Sequence, residues 1–273
     1  MYKVLSIAGS SSMGGAGVQA DLKTFQECGV FGMGAITAFV TVSPKHGRRI
    51  YPQPLDVVEA QCEAALADSG VDSLKTGMLH SVEHIQYAAD LVKKHELQQV
   101  VVDPVMVTKS GAELLQQKAV KAMQETLFPL ARVITPNIPE AIKLSGMTQI
   151  DSVAQMQKAA QKIYAHGSEY VLVKGGSLKS NEAIDLLYDG ESFTTFTCER
   201  IDTNTNGAGC SFSAAIAAEL AKGTPVPEAV KTAKAYITAA IRHALRFADG
   251  RERINHAALR EILEKESVEV TVL

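Results

Sequence analysis

The chain has 273 residues, 46% of them hydrophobic and 21% charged, with a formal net charge of -3. Its acids and bases are interspersed, which excludes a like-charged block able to grip nucleic acid or anionic lipid and leaves a small molecule as the expected partner. Cys28, Cys62, Cys198 and Cys210 stand far apart with no Cys-x-x-Cys pair, arguing against zinc and a disulfide framework, and no run approaches 18 apolar residues, so a reduced, cytoplasmic protein away from membranes is expected.

Short β-rich runs alternate with segments of helical period. Strands are predicted over Val4–Ala8, Gly34–Val42, Ser73–Gly77, Val100–Asp103, Val133–Thr135 and Tyr170–Lys174, several continuously apolar as strands buried on both faces must be. A helix is predicted from Ser81 to about His95. Another follows Asp151, with Val153, Met156, Ala160, Ile163 and Tyr164 on one face and Gly167 as its stop. Ala183–Tyr188 and Ser192–Thr197 flank Asp189-Gly190, a hairpin signal that places an antiparallel edge on the sheet. Helices over Ala208–Lys222 and Val226–Leu245 complete the pattern. The expected fold is a single α/β domain over residues 1–273, a mainly parallel sheet with helices on both faces and a small antiparallel edge.

Ligands of such sheets bind outside the carboxyl ends of the strands, and polar residues collect there. Gly9 to Gly17 follow the first strand; the run matches neither G-x-G-x-x-G nor the P-loop, and reads as a ligand-approaching loop or a plain flexible turn. Asp21, just inside the next helix, either turns into the pocket or serves as a surface partner favoured by the helix dipole. Asp103 ends one strand, and Asn137 and Glu140 follow another. A nucleotide kinase needs carboxylates here for Mg²⁺, while Asn137 with Glu140 also has capping-box spacing. Lys174-Gly175-Gly176 could neutralise phosphate, or Lys174 could be a solvated terminal lysine.

Asn206-Gly207-Ala208-Gly209-Cys210 opens a strong helix. Unpaired amides from Gly207 to Gly209 and the positive dipole end make an anion site for a transferring phosphoryl group. Cys210 lies in the same field, which favours its thiolate; it could accept a substrate hydroxyl proton or simply pack the helix as a small buried residue.

In order along the chain, Gly9 to Thr24, Lys75-Thr76-Gly77-Met78-Leu79, Asp103-Pro104-Val105-Met106-Val107, Thr135-Pro136-Asn137, Lys174-Gly175-Gly176 and the Gly207-Ala208-Gly209-Cys210 helix resemble the hydroxymethylpyrimidine and phosphomethylpyrimidine kinases with their pyridoxal kinase relatives, in the ribokinase-like superfamily. The resemblance runs nearly end to end. It implies a ribokinase-like three-layer sandwich, ATP as co-substrate, Mg²⁺ with a monovalent cation as a further candidate, a ring-attached hydroxymethyl group as acceptor, and a homodimer. It places Gly9, Asp21, Val42, Met78 and Thr108 around the substrate and Asn137, Lys174, Gly175, Gly176 and Gly209 on ATP. Asp103 and Glu140 would serve the metal. Gly207, Ala208 and Gly209 would form the anion hole, with Cys210 as base.

Three departures bear on substrate and mechanism. The pyrimidine kinases resembled here usually carry glutamine where this chain has Val42, and valine cannot pair with an aminopyrimidine edge, a loss of about 1–3 kcal/mol. That tilts the expectation towards a kinase of vitamin B6 vitamers, with the pyrimidine kinase of thiamine biosynthesis, or both activities, as the alternative. Thr108 replaces a lid cysteine, which speaks against covalent trapping of an aldehyde. Asn206 replaces a common histidine, and the segment from Asp202 to Asn206 is about one residue short, which keeps a non-catalytic vitamin- or nucleotide-binding protein as a further alternative.

Overall fold

The computed structural model describes all residues except 44, 68–69, 108–113, 202–204, 249, 251, 259, 261–268 and 273, with residues 205, 206, 269 and 270 described for their backbone alone. Strand β1 (Lys3–Ser11) lies deep in a ten-stranded sheet. Its Val4, Leu5, Ile7 and Ala8 are at most 1% exposed, because helices cover both faces. β2 (Phe31–Ser43) and β4 (Ser73–Thr76) flank it in parallel, and β5 (Val100–Val102), β6 (Val133–Ile134) and β7 (Tyr170–Lys174) continue the parallel order.

Both margins are antiparallel, one more than predicted. β8 (Glu182–Tyr188), β9 (Phe193–Glu199) and β13 (Glu269–Val272) form one; β3 (Gly47–Pro52), folded back on β2, forms the other. The β8–β9 ladder closes at Tyr188 and Phe193, so its loop has four residues rather than Asp189-Gly190 alone, and the Asp189 carboxylate accepts the amides of Glu191 and Ser192.

Helices α1 (Val18–Glu27), α7 (Ala208–Ala221) and α8 (Val226–Arg242) cover one face; α2 (Leu55–Leu66), α3 (Val82–Lys94), α4 (Gln117–Ala122), α5 (Ile138–Ser145) and α6 (Val153–Tyr164) cover the other. α3 and α6 start on the side-chain caps Ser81 and Ser152 and fall within a few residues of their predicted bounds. α7 is not one-faced: every residue from Ser211 to Ala218 is buried, because the helix lies between the sheet and both neighbours. α8 ends at Arg242, short of the predicted Leu245, which instead joins β11 (Leu245–Arg246) in a small second sheet with β12 (Glu252–Arg253) and β10 (Thr205–Asn206).

Among the described residues no helix is long and apolar enough to cross a membrane. The four cysteines are free thiols.

Candidate active site

Four parallel strands end their runs on one edge of the sheet, and side chains from β1, β4, β5 and β7 meet there the starts of α1 and α7. β1 runs to Ser11, so Gly9 belongs to the strand and the loop proper starts later than predicted. Gly17 turns the chain into α1 at φ 64, where a β-carbon would lie 1.9 Å from the Gly9 carbonyl oxygen. Gly207 at φ 93 caps α7, where a β-carbon would meet the Gly15 carbonyl oxygen at 1.7 Å. Loop and transfer helix are therefore in backbone contact. The Gly17 amide lies near enough to the Cys210 sulfur to favour its thiolate.

Asp21 is no surface partner: it is fully buried, and its Oδ2 accepts from Ser6 Oγ at 2.6 Å and Lys75 Nζ at 2.8 Å. Its Oδ1 is buried and, among the described residues, has no hydrogen-bond partner. Burial pushes the Asp21 carboxyl up, against the pull of Lys75 and Ser6. Burial works against the Lys75 charge too, but the carboxylate of Asp21, followed by Cys210 and Asp103, outweighs it and holds the ammonium protonated.

Lys174 is likewise buried rather than solvated, with Nζ 2.8 Å from Asp103 Oδ1. That ammonium stands 3.5 Å from where a β-carbon on Gly209 would be, so the strand-end lysine and the α7 amides face one point. Ser213 Oγ is 3.0 Å from Asp103 Oδ2, which ties the second carboxylate oxygen to α7. Gly175 is shaped by packing: its amide donates to Asp185 Oδ1 at 2.8 Å, and a β-carbon there would meet the Ile184 carbonyl at 1.9 Å. Gly176 is open, with no described residue within 4 Å of a β-carbon.

Asn137 and Glu140 form the capping box in full. Asn137 Oδ1 accepts the Glu140 amide and Glu140 Oε2 accepts the Asn137 amide, both at 2.9 Å. Glu140 is nevertheless 2% exposed, and burial, with Asp103 adding repulsion, pushes its carboxyl up from 4.5 to about 8 despite Lys174. The unfolded chain therefore holds fewer protons than the folded one between those values, and stability falls as pH rises across them. Glu140→Gln should abolish this decline, which urea unfolding from about pH 5 to 8 will measure as a difference on the order of 2–4 kcal/mol between variant and parent.

Among the described residues no three His, Cys, Asp or Glu side chains form a ready metal cage. Asp103 and Glu140, two buried acids sharing the Lys174 charge, instead suit a hydrated divalent cation that takes its other ligands from water and phosphate.

Cys210 departs from expectation. Burial pushes its thiol up, outweighing Lys75 and the Gly17 amide, with Asp103 and Asp21 adding to the rise. The dipole end of α7 does not produce a resting thiolate.

Met78 is 7% exposed and its Cε would lie 2.6 Å from a β-carbon on Gly9, so it covers that glycine, held by Thr37 Oγ1 on its carbonyl at 2.6 Å. Val42 pairs with Arg48 in the β2–β3 hairpin, two residues beyond the last β1 partner Val40, and is half-buried. Thr108 and the segment 202–204 lie outside the described residues, as does the side chain of Asn206.

The site contains groups not singled out from the sequence. Lys75, Ser6 and Ser213 are buried polar residues inside strands or helix, and a lysine in a strand that must be covered on both faces was the one available signal.

An α/β kinase of the ribokinase-like fold is what this sheet and site define. The structure of the pyridoxal kinase from Staphylococcus aureus in complex with AMP-PCP and pyridoxal superposes with a TM-score of 0.93 at 42% identity, covering 100% of this chain and 99% of that one. The pyridoxine kinase of Bacillus subtilis is 48% identical over 264 residues, 95% of this chain and 97% of its own length. The hydroxymethylpyrimidine/phosphomethylpyrimidine kinase of Haemophilus influenzae is 47% identical over 261 residues, 94% and 97% respectively. The family model for phosphomethylpyrimidine kinase matches residues 11–255, and the chain belongs to that family.

Proposed function

We propose that this kinase transfers the γ-phosphate of ATP to the 5′-hydroxymethyl group of vitamin B6 vitamers, pyridoxal, pyridoxine or pyridoxamine. The residue that carries the choice of substrate is Val42, apolar and on the stretch of β2 that runs beyond β1, where the pyrimidine kinases resembled usually carry a glutamine able to pair with an aminopyrimidine. Relatives named for pyridoxine and for hydroxymethylpyrimidine phosphorylation stand at nearly equal identity, which favours hydroxymethylpyrimidine phosphorylation as the second reading, alone or alongside the first.

In the proposed mechanism the vitamin ring lies against Gly9 and Met78, above the buried Asp21 carboxyl and with Val42 beside it. Asn137 and the open Gly176 border the nucleotide, and Gly175 holds its strand end in register through Asp185. Lys174 and the amides of Gly207, Ala208 and Gly209 meet the charge that grows on the transferring phosphoryl group. Asp103 and Glu140 would hold Mg²⁺, which supplies charge neutralisation on the phosphates. The substrate hydroxyl oxygen forms the new bond to phosphorus as the bond to the ADP oxygen breaks, and Cys210 Sγ takes the hydroxyl proton. A homodimer is part of the proposal; Phe39 and Tyr51, paired across β2–β3 and 43% and 48% exposed, offer an apolar face for it.

Metal-dependent ADP release compared across the three vitamers and hydroxymethylpyrimidine tests the reading. The B6 vitamers should have the higher kcat/KM, and Val42→Gln should shift the ratio towards the pyrimidine by about tenfold. Preference of the unaltered protein for the pyrimidine overturns the choice of substrate; binding without turnover points to a non-catalytic protein.

A further inference from the structure

The segment after α8 returns to the transfer centre at two points. β12 pairs with β10, the strand that leads into Gly207. From it Arg253, 8% exposed, lies along the glycine-rich loop: a β-carbon on Gly15 would meet Arg253 Cδ at 2.9 Å. Its Nη2 donates to Met13 Sδ at 3.4 Å, and its guanidinium sits 4.2 Å from the centre of the Phe247 ring. Three residues on, His256 Nε2 is 3.1 Å from Ser211 Oγ, in the first turn of α7 and next to Cys210. The backbone here is anchored: the Asn255 amide donates to the Ala240 carbonyl at 2.9 Å, and the Tyr236 hydroxyl donates to the His256 carbonyl at 3.2 Å. Between the two contacts lies the junction at which the Gly15 carbonyl packs on Gly207 and the Gly17 amide meets Cys210.

We propose that His256 is a positioning residue for phosphoryl transfer, fixing through Ser211 the first turn of α7, and with it Cys210, against the loop that Arg253 braces from the other side. This rests on the kinase reading above. The first turn of a helix lacks intrahelical partners for its amides and frays most easily, while phosphoryl transfer depends on placement, a misplacement of about 1 Å costing about 10² in rate. Burial, with Lys23 adding to it, pushes the His256 imidazole down to about 4, so it is a neutral and constant partner for Ser211 throughout the neutral range.

His256→Ala, Ser211→Ala and the double variant test the proposal in the full chain. Each single variant should lower kcat by about tenfold or more with both KM values within about threefold, and the double should be no slower than the slower single, as expected of one shared contact. His256→Gln, able to keep a hydrogen bond, should recover part of the loss, and with Ser211→Ala it carries the test if His256→Ala does not fold. Iodoacetamide labelling of Cys210, followed on its own peptide, should change in rate in the same variants while Cys28 does not. Losses that multiply in the double, or folded variants with unchanged kcat and unchanged Cys210 labelling, overturn the proposal. The labelling needs no turnover: inactivity of the unaltered protein would sink the kinase reading while a changed Cys210 reactivity would still support the positioning role.

Discussion

Cys210→Ala will lower kcat by about 10² or more and leave ATP affinity within a few-fold, because in the proposed mechanism it removes a proton acceptor that acts only as the hydroxyl attacks phosphorus. The sulfur is not a ground-state ligand of the nucleotide in this scheme; it sits near the Gly17 amide, among Lys75, Asp103 and Asp21. The pH dependence follows from the same environment. Burial raises the thiol above its ordinary 9.0, so at neutral pH most molecules carry the protonated, inactive form. The thiolate fraction grows with pH, and kcat should climb through the neutral and mildly alkaline range without levelling off below that value, a limb absent from Cys210→Ala. Steady-state rates across pH for parent and variant measure both effects. Near-normal turnover in the variant would return Cys210 to a packing role.

Lys75→Met should cost about 3–5 kcal/mol of stability at neutral pH, the largest effect expected of a single change beneath the site. It strands a carboxylate that has no exposure to solvent and, among the described residues, only Ser6 Oγ as remaining partner. The sign of its pH dependence is fixed by Asp21, whose carboxyl is already raised by burial and rises further once the ammonium is gone. In the variant the folded chain then holds a proton that the unfolded chain releases near its ordinary 3.8, so the defect should shrink as pH falls towards that value. Adding Asp21→Asn should restore a large part of the loss, since the uncompensated charge is its cause. Urea unfolding of the single and double variants at two pH values reads all three expectations. A loss under about 1 kcal/mol would mean that solvent reaches the pair after all.

Function and stability meet in this arrangement. Asp21–Lys75 and Asp103–Lys174 are buried pairs within the same small volume, and Cys210 is under the field of both lysines. Buried pairs are poor sources of net stability; in the proposed mechanism these two hold fixed charges where a phosphoryl group is received in place of water.

How much of this was legible in the sequence differs by element. The six strands that build the parallel sheet, and the helices opened by Ser81 and Ser152, carry strong local signals, because continuous apolar runs and side-chain caps act over a few residues. The stretch Gly207 to Cys210 at a helix start, Lys174 at a strand end and the Asn137–Glu140 cap were likewise readable. β3, β13 and the small sheet of β10, β11 and β12 were not: β13 and β10 pair with strands distant in sequence, and the exposed β3 and β11 carry little apolar pattern of their own.

What the sequence determined by itself is therefore the alternating α/β plan and a glycine-rich helix start with Cys210 behind its glycines, features set by local periodicity and backbone freedom. The tertiary structure alone decided the state of the groups around it. Asp21 is a buried ion-pair partner rather than a surface acid, Lys75 and Ser213 belong to the site, His256 reaches it from the far end of the chain, and burial raises the Cys210 thiol where the helix dipole alone would lower it. Each of these depends on desolvation and on neighbours remote in sequence, and neither acts before the chain has closed around them.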